Sequence, residues 1–319
     1  MNFSKEEILI VVGTTKTLIV PKGIKKLICS KIGLETLILN EGIVYVDCSR
    51  NKLTILIVPD SVIDLNCSDN KLTVLIVPDG VTYLYCLSNK LTELIVPDGV
   101  TCLYCSNNKL AKLIVPDGVT RLYCSSNELT ILIVPNGVTH LDCSNNKLTK
   151  LIVPKSVTFL YCYGNQLTEL TVPDGVTFLN CCRNHLTILI VPDNVTNLDC
   201  SFNKITELIV TDGVNYLVCS FNKLTELIVT NGVDYLVCYD NLLEDLSKYS
   251  ELTKPKVVSL YAMCYEIVNE NNIPKCFSKV DKVTCDECRD YVIKDSVYIS
   301  YKGHHEGYIR KTIKCKECF

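Results

Sequence analysis

A cysteine returns every 19 residues through most of this sequence, and this period constrains the fold more than any other feature. Each cysteine belongs to a unit close to V-T-x-L-x-C-S-x-N-x-L-T-x-L-I-V-P-D-G, and twelve such units tile residues 24–251. Self-similarity at a fixed short period indicates stacked coils that bury their apolar side chains against one another. The ladder cysteines are Cys29, Cys48, Cys67, Cys86, Cys105, Cys124, Cys143, Cys162, Cys181, Cys200, Cys219 and Cys238.

Aliphatic and amide positions recur with the same period. Aliphatic residues, mostly leucine, stand two residues before, five after and eight after the ladder cysteine, as do Leu103, Leu110 and Leu113. Asparagine stands three residues after the cysteine in eleven of the twelve units, with Ile32 the exception. A buried amide repeated in this way needs partners, so we expect it to bind backbone groups of a turn.

The pattern L-x-x-L-x-C-x-x-N-x-L, as in residues 100–110, resembles the consensus of leucine-rich repeats. The resemblance implies a mainly β repeat solenoid with a parallel β-sheet on its concave face, in which Leu and Cys of each L-x-C point inward. A 19-residue unit leaves no room for convex helices. It is most similar to the short repeats of secreted bacterial effectors. Its Ile- and Asn-rich character also resembles repeat proteins of giant, mimivirus-like DNA viruses.

The resemblance makes the ladder cysteines core residues. Free cysteine behaves as a small hydrophobe, so a stack of thiols between leucine rows packs well. Neighbouring strands lie about 4.8 Å apart, which does not exclude disulfides between coils. Such bonds would pinch alternate gaps of the regular stack, so we expect reduced thiols in a reducing compartment.

Each coil is expected to turn back at Pro-Asp-Gly, as at residues 97–99, with Pro fixing φ and Gly permitting positive φ. Ser61, Ser156 and Asn194 replace this glycine and mark the expected weak corners. Residues 1–23 are predicted to form an N-terminal cap and half repeat, in which Leu18, Val20 and Pro21 keep the register.

Aromatic residues segregate to the predicted concave face. Fourteen of the fifteen Tyr and Phe residues in the repeats stand one or three residues before the ladder cysteine or just after it. Tyrosine is enriched in protein interfaces, which predicts a partner-binding surface. Cross-strand aromatic stacking that only stabilises the sheet is the alternative. The predicted partner-binding residues are Tyr45, Tyr83, Tyr85, Tyr104, Tyr123, Phe159, Tyr161, Tyr163, Phe178, Tyr216 and Tyr235.

An isoleucine row is expected on the opposite side. It stands nine residues after the ladder cysteine and alternates with buried positions in L-I-V. Such a row indicates an interface or lateral self-association. The alternative is that this segment is not an ideal strand and tucks part of each isoleucine against the next coil. The row comprises Ile57, Ile76, Ile95, Ile114, Ile133, Ile152, Ile190, Ile209 and Ile228.

Residues 252–319 depart from the repeat and are predicted to form a C-terminal helix and a small α+β module. Leu260, Cys264, Ile267 and Val268 follow helical spacing after Pro255, which predicts a helix that closes the solenoid.

Two C-x-x-C pairs follow this helix and suit a tetrahedral structural zinc site. Disulfides and chance pairs in a Cys-rich chain are the alternatives. His304 and His305 lie between the pairs, where one is able to replace a ligand, although loop histidines are more often solvated. The predicted zinc ligands are Cys285, Cys288, Cys315 and Cys318.

Several classes of function are disfavoured. A net charge of −3 lacks the basic excess of nucleic-acid-binding proteins. No apolar run reaches about 18 residues, and the first residues lack a signal-peptide pattern, so we expect a cytoplasmic protein, in the host cell if viral, with no membrane partner. No catalytic motif is present, and Cys102 and Cys182, expected to be exposed on the concave face, have no identifiable base, so no enzyme is predicted.

The sequence therefore predicts a non-enzymatic scaffold that binds a protein of unknown identity and is monomeric or weakly self-associating. One alternative is a substrate adaptor in ubiquitin signalling that uses the C-terminal module. That module resembles a RING only in its outer Cys pairs and lacks the middle ligands. The other alternative is a structural component that self-associates along the isoleucine row.

Overall fold

The computed structural model describes residues 3–229 and 232–244, and the backbone of strands at 283–284, 291–292, 297–303 and 309–315. The chain divides into two compact units, Met1–Lys254 and Pro255–Phe319. The first unit is a parallel β-solenoid, and its described residues contain no helix except a short 3₁₀ helix at Lys5–Glu7. The predicted fold class is thereby confirmed for this unit.

Thirteen short strands form the main sheet of the first unit, and all of them are parallel. From Lys26 onward, consecutive strands of this sheet pair so that each residue lies beside the one 19 positions later, as Leu103 beside Leu122. The first pair has an offset of 18, with Leu9 beside Leu27. The strands are β1 (Ile8–Ile10), β3 (Lys26–Ile28), β5 (Tyr45–Asp47), β6 (Asp64–Asn66), β7 (Tyr83–Tyr85), β8 (Cys102–Tyr104), β9 (Arg121–Tyr123), β10 (His140–Asp142), β11 (Phe159–Tyr161), β12 (Phe178–Asn180), β13 (Asn197–Asp199), β15 (Tyr216–Val218) and β17 (Tyr235–Val237).

Two smaller parallel sheets lie in the L-I-V segments. They pair β2 (Thr17–Ile19) with β4 (Thr36–Ile38) and β14 (Glu207–Ile209) with β16 (Glu226–Ile228). In the repeats between them, a proline follows each L-I-V segment, from Pro59 to Pro192, and the described residues form no ladder there. Proline cannot donate a backbone hydrogen bond, but Pro21 also follows the paired strand β2, so the proline alone does not decide whether a segment pairs.

The N-terminal segment contributes more than the half repeat that the sequence predicts. Residues 1–23 contain both β1, which pairs with β3, and β2, which pairs with β4. Val20 is buried in the core, and Leu18 is partly buried and packs against this core. The segment therefore supplies both sides of a coil at the beginning of the solenoid.

The core lies between the main sheet and the L-I-V segments. In each coil the central residue of the strand and the ladder cysteine are fully or almost fully buried, as are Leu103 and Cys105. The aliphatic residue five after the cysteine, such as Leu110, is also buried, except in the last coil, where Leu243 is half-buried. All twelve ladder cysteines are buried free thiols. Desolvation raises the pKa of Cys105 to about 12, and the same cause raises the pKa of its neighbours, which keeps this row neutral and apolar.

The repeated asparagine bonds each coil to the previous one. The Asn127 side-chain amide donates to the carbonyl oxygens of Cys105 and Cys124, both at 3.1 Å. Its Oδ1 accepts the backbone N–H of Leu110 at 3.0 Å. The expectation that this amide binds backbone groups is confirmed, and the partners belong to two successive coils.

A left-handed residue precedes each of these positions, a feature that the sequence did not reveal. The residue two after the ladder cysteine has φ between 50° and 66° in all twelve coils. Glycine occupies this position once, at Gly164, and other residues hold it elsewhere despite the steric cost of this region. These residues are Lys31, Arg50, Asp69, Ser88, Asn107, Ser126, Asn145, Arg183, Phe202, Phe221 and Asp240.

The glycine of Pro-Asp-Gly has a different role from the one predicted. Gly99 is not among the residues with positive φ, so that interpretation is wrong. A Cβ atom on Gly99 would stand 2.9 Å from the carbonyl oxygen of Asp79 in the previous coil. Close approach of two backbones, and not backbone conformation, therefore favours glycine here.

The three predicted weak corners are also hydrogen-bonded. The hydroxyls of Ser61 and Ser156 donate to the carbonyl oxygens of Ile43 and Val138, each at 2.6 Å. Asn194 Nδ2 donates to the carbonyl oxygen of Asp174 at 2.8 Å. The substitutes for glycine bond to the previous coil, and none of the three is among the residues with positive φ, so the left-handed strain from which weak corners were predicted is absent.

The second unit contains two antiparallel strand pairs among its described residues. β18 (Val283–Thr284) pairs with β19 (Tyr291–Val292), and β20 (Val297–Gly303) pairs with β21 (Ile309–Cys315). The predicted helix lies outside the described residues. Within the described part of the chain, no helix has the length and apolar character needed to cross a membrane.

Candidate protein-interaction surface

The main sheet presents two columns of outward side chains. We call them the minus-three and minus-one columns, after their distance in sequence from the ladder cysteine. Because the strands pair in register, each column is a continuous row of neighbours. The minus-three column runs through Lys26, Tyr45, Asp64, Tyr83, Cys102, Arg121, His140, Phe159, Phe178, Asn197, Tyr216 and Tyr235. The minus-one column runs through Ile28, Asp47, Asn66, Tyr85, Tyr104, Tyr123, Asp142, Tyr161, Asn180, Asp199, Val218 and Val237.

Three tyrosines form a continuous stack in the minus-one column. The rings of Tyr85 and Tyr104 are 4.6 Å apart, and those of Tyr104 and Tyr123 are 4.4 Å apart with an angle of 8°. Desolvation is the main reason why the pKa of Tyr85 rises to about 12 and the pKa of Tyr123 rises as well. The stack is therefore neutral, and its three rings are half-buried.

Other predicted aromatic residues also pair. Tyr216 and Tyr235 stack at 4.5 Å with their rings almost parallel. Phe159 stacks on His140 at 4.6 Å, and Tyr161 contacts Phe178 across the two columns at 4.8 Å. Stacking covers one or both faces of these rings, as the alternative of a sheet-stabilising role expects. Tyr83, in contrast, has 42% of its surface exposed, so much of its area is available for contact with a partner.

Two carboxylates on this face are bound within the protein. Asp142 accepts the backbone N–H of Ser144 at 3.0 Å, and Asp199 accepts both the backbone N–H and the hydroxyl of Ser201, at 3.0 and 2.6 Å. Burial is the main cause of the raised pKa of each carboxyl. These aspartates fix the turn after the strand and are poorly placed to contact a partner.

The two cysteines outside the ladder differ from their expected exposure. Cys102 is buried, with 8% of its surface exposed, so the prediction that it is exposed is wrong. It lies between Tyr83 and Arg121, whose larger side chains flank it in the minus-three column. Cys182 is half-buried, and desolvation is the main reason why its pKa rises to about 12. Neither thiol has the properties of an activated nucleophile.

The isoleucine row is exposed. Its nine members, from Ile57 to Ile228, have between 45% and 86% of their surface exposed, so each isoleucine tucks at most part of its side chain against a neighbouring coil. A second apolar position, two residues earlier, widens the row in some coils. It contains Ile55, Val74, Ile131 and Ile188.

The predicted zinc site lies largely outside the described residues. Cys315 ends β21, and Cys285, Cys288 and Cys318 are not described. The described residues contain no group of three or more His, Cys, Asp and Glu side chains that could hold a metal ion. The zinc site stays a prediction.

No protein-family model matches the sequence, and no curated protein matches it. Three solved structures are similar to the solenoid. YopM from Yersinia enterocolitica WA-314 is 26% identical with a TM-score of 0.62, and the match covers 69% of this chain and 56% of YopM. The functional domain of InlJ from Listeria monocytogenes, which includes a cysteine ladder, is 31% identical with a TM-score of 0.55, over 70% of this chain and 65% of that domain.

YopM from Yersinia pestis, a leucine-rich effector protein, is 23% identical with a TM-score of 0.60, over 76% of this chain and 85% of that one. The chain thus spans between about half and two thirds of the first two structures that it matches. The hydrogen bonds that join each coil to the next and the similarity to these structures lead to the same conclusion. The first unit of this chain has the leucine-rich repeat fold.

Proposed function

We propose that this protein is a non-enzymatic interaction scaffold that binds a protein partner through the outer face of its main sheet. The observation that carries the proposal is the concentration of half-exposed aromatic side chains in two neighbouring columns of that face. The sheet lines the inside of the horseshoe in leucine-rich repeat proteins, where repeat proteins commonly bind their partners.

The geometry of this face favours recognition of another protein. Tyrosine combines a large apolar ring with a polar hydroxyl and is enriched at interface hot spots. Stacking holds Tyr104 and Tyr235 in fixed orientations, so binding orders few side chains. Because adjacent strands are hydrogen-bonded in register, the surface is preformed over many coils.

Affinity capture with surface-specific variants tests this proposal. One variant changes Tyr85, Tyr104 and Tyr123 to Ala, and the matched control changes Ile95, Ile114 and Ile133 to Thr on the other face. Circular dichroism and thermal unfolding establish that both are folded. We expect the control to retain the partners of the native protein and the tyrosine variant to lose them. Identical partners for all three proteins would make the tyrosine stack a sheet-stabilising element only.

The exposed isoleucine row supports a second candidate function, self-association with a second copy of this chain. Burying one isoleucine side chain gains about 1.5–3 kcal/mol, which corresponds to roughly 60–120 Å² of apolar surface. The nine residues are on average about three quarters exposed, so they offer roughly 400–800 Å² per copy, and an interface of standard size needs about 800 Å². The upper half of this range exceeds the largest apolar patch of a typical monomer, which is about 300–600 Å².

Sedimentation velocity over a wide concentration range tests self-association. We expect the native protein to form larger species as its concentration rises, because two isoleucine rows exclude water from each other. Changing Ile114 and Ile152 to Lys places charges in the row and should give a monomer, while the tyrosine variant should associate like the native protein. A native protein that is monomeric at every concentration would exclude this candidate. The ubiquitin-adaptor alternative depends on undescribed residues and stays a prediction.

A further inference from the structure

The minus-three column contains a gap between two tyrosines. Tyr45, Asp64 and Tyr83 stand side by side on β5, β6 and β7, in register. Elsewhere on this face, rings on adjacent strands stack at 4.4–4.6 Å, as in the Tyr85–Tyr104–Tyr123 stack. The short side chain of Asp64 leaves the central ring position empty, and Tyr45 and Tyr83 are two strand spacings apart, or about 9.6 Å. This space accommodates one planar group between the two rings.

A pocket occupies this position. It has a volume of about 220 Å³ and is lined by Phe3, Lys26, Val44, Tyr45, Ile63, Asp64 and Tyr83. Its walls are therefore mostly aromatic and aliphatic, and Asp64 supplies a carboxylate between the two tyrosines.

The Asp64 carboxylate lacks the internal bonds of the other aspartates on this face. Asp47, Asp142 and Asp199 each accept a backbone N–H two residues later. Within the described residues, no hydrogen-bond donor reaches Asp64. Desolvation, followed by repulsion from Asp47, raises the pKa of Asp64 to about 6, and attraction to Lys26 opposes the rise. Among the described residues that act on Asp64, two carboxylates and one ammonium group therefore leave a net negative charge.

Lys26 is already engaged on one side of this pocket. Its ammonium group lies 4.5 Å from the centre of the Tyr45 ring. Lys26 lies in the coil before Tyr45, and Asp64 lies in the coil after it. Lys26 and the gap are therefore on opposite sides of the Tyr45 ring. A cation that enters the gap would complete a row in which cationic and aromatic groups alternate.

We propose that this gap binds the guanidinium group of an arginine side chain on a protein partner. The inference rests on the proposed function, because it assigns one anchoring position on the same face. A guanidinium group is planar, stacks on aromatic rings and offers paired donors to a carboxylate. A lysine ammonium group complements the negative charge of Asp64 but is not planar. A neutral ring is able to stack between the two tyrosines but does not complement the charge.

NMR titration with N-acetylarginine methylamide tests the assignment on the full chain. The tyrosine rings are labelled with ¹³C, and the probe is added up to about 50 mM, because a single side chain binds weakly. We expect saturable shifts of Tyr45 and Tyr83. Tyr216 provides an internal control, since Phe178, Asn197 and Tyr216 repeat the order of side chains without the charge. No saturable shift of Tyr45 and Tyr83, or equal shifts of Tyr216, would overturn the proposal.

Variants and a second probe separate charge from shape. Asp64→Asn keeps the shape, and we expect it to weaken binding at least about fivefold, whereas Lys26→Met should leave binding unchanged or strengthen it. N-acetyllysine methylamide should bind at least about fivefold more weakly than the arginine probe. Equal affinity of Asp64→Asn and native protein, or of the two probes, would contradict a guanidinium site.

Affinity capture with Asp64→Asn distinguishes this inference from the function on which it rests. Loss of partners in both this variant and the tyrosine variant supports the arginine anchor. Partners that bind Asp64→Asn as well as native protein but are lost by the tyrosine variant would leave the scaffold function standing and remove the anchor.

Discussion

The side-chain amide of Asn127 links Cys105 on the previous coil to Cys124 on its own coil, through hydrogen bonds of 3.1 Å to both carbonyl oxygens. Ten other asparagines occupy the same position in the sequence, so this pair of bonds joins coil to coil along the solenoid. The amide satisfies buried carbonyl groups that the sheet leaves free, which explains why neither a carboxylate nor an aliphatic residue serves as well.

Changing Asn127 to Ala should destabilise the protein by about 1–3 kcal/mol. The substitution leaves the buried N–H of Leu110 without its partner, and one unsatisfied buried group costs about that much. It also removes one of the two amide donors from the carbonyl oxygens of Cys105 and Cys124, which keep their bonds to the neighbouring asparagines. Urea unfolding followed by circular dichroism measures the change. Asn136→Ala, at an exposed turn position, is the control and should change stability by less than about 0.5 kcal/mol. Equal effects of the two substitutions would contradict the role of the buried amide.

Changing Gly99 to Ala should destabilise the protein by about 1–3 kcal/mol, because the new methyl group would press on the Asp79 carbonyl oxygen. Gly137→Ala should cost less, since the corresponding distance is 3.3 Å and not 2.9 Å. Gly99→Ser should recover part of the loss by donating a hydrogen bond to the previous coil, as Ser61 does. Thermal unfolding of the three variants gives the order. A serine variant less stable than the alanine variant would exclude this compensation.

Asp64→Asn should make the unliganded protein more stable at pH 8 and leave stability almost unchanged at pH 4. The native carboxyl has a pKa of about 6, against an ordinary value of 3.8, with desolvation the main cause and Asp47 and Lys26 the charged neighbours. Between these values the folded state binds more protons than the unfolded state, so native stability falls as pH rises from about 4 to 6. Asp64→Asn has no carboxyl group at this position, so its stability does not fall for this reason as the pH rises.

Thermal unfolding from pH 4 to pH 8 measures this difference. Because Asp64 is partly exposed, solvent screening limits the effect, and we expect a gain of roughly 1–3 °C for the variant above pH 6. Asp60→Asn, at an exposed turn position, is the control and should give no pH-dependent gain. A variant that is equally stable to native protein at every pH would show that the carboxylate carries no desolvation cost.

The period of the sequence predicted the solenoid because it reports burial, which repeats with the coil. Leu103 and Cys105 are apolar in every equivalent position, and the amide of Asn108 needs partners wherever it is buried. The left-handed residue at Ser126 was not predictable in this way, because six residue types besides glycine share the position, among them Lys, Arg and Phe, which do not favour positive φ. Backbone geometry imposed by the stack overrides local preference there.

Contacts between coils limited the prediction of the site. Gly99 was assigned to positive φ because the sequence shows the residue and not the carbonyl oxygen of the previous coil. Cys102 was expected to be exposed because its burial depends on Tyr83 and Arg121, which are 19 residues away on each side. The pocket at Asp64 arises from the order of three coils in one column, which becomes apparent only when the strands are in register.

Cys182 should be alkylated at least about tenfold faster than Cys181 in the native, reduced protein. The two thiols are adjacent in sequence, but Cys181 is fully buried and Cys182 is half-buried. Desolvation raises the pKa of both, so iodoacetamide at pH 8 should act slowly even on Cys182. Mass spectrometry of peptides after timed quenching measures both rates. Comparable rates before unfolding would show that the ladder thiols are accessible, and a fast reaction of Cys102 would contradict its burial.

Zinc removal should destabilise the second unit selectively. The four cysteines of the two C-x-x-C pairs suit one structural zinc ion, and a unit of 65 residues is small enough to need such a staple. We expect about one zinc ion per chain, released when a mercurial reagent titrates the thiols and detected with a colorimetric chelator. Cys285→Ser should abolish zinc binding, whereas Cys264→Ser, which changes a cysteine outside the two pairs, should retain it. Zinc-free protein after purification in the presence of zinc, or loss of zinc in both variants, would contradict the predicted ligand set.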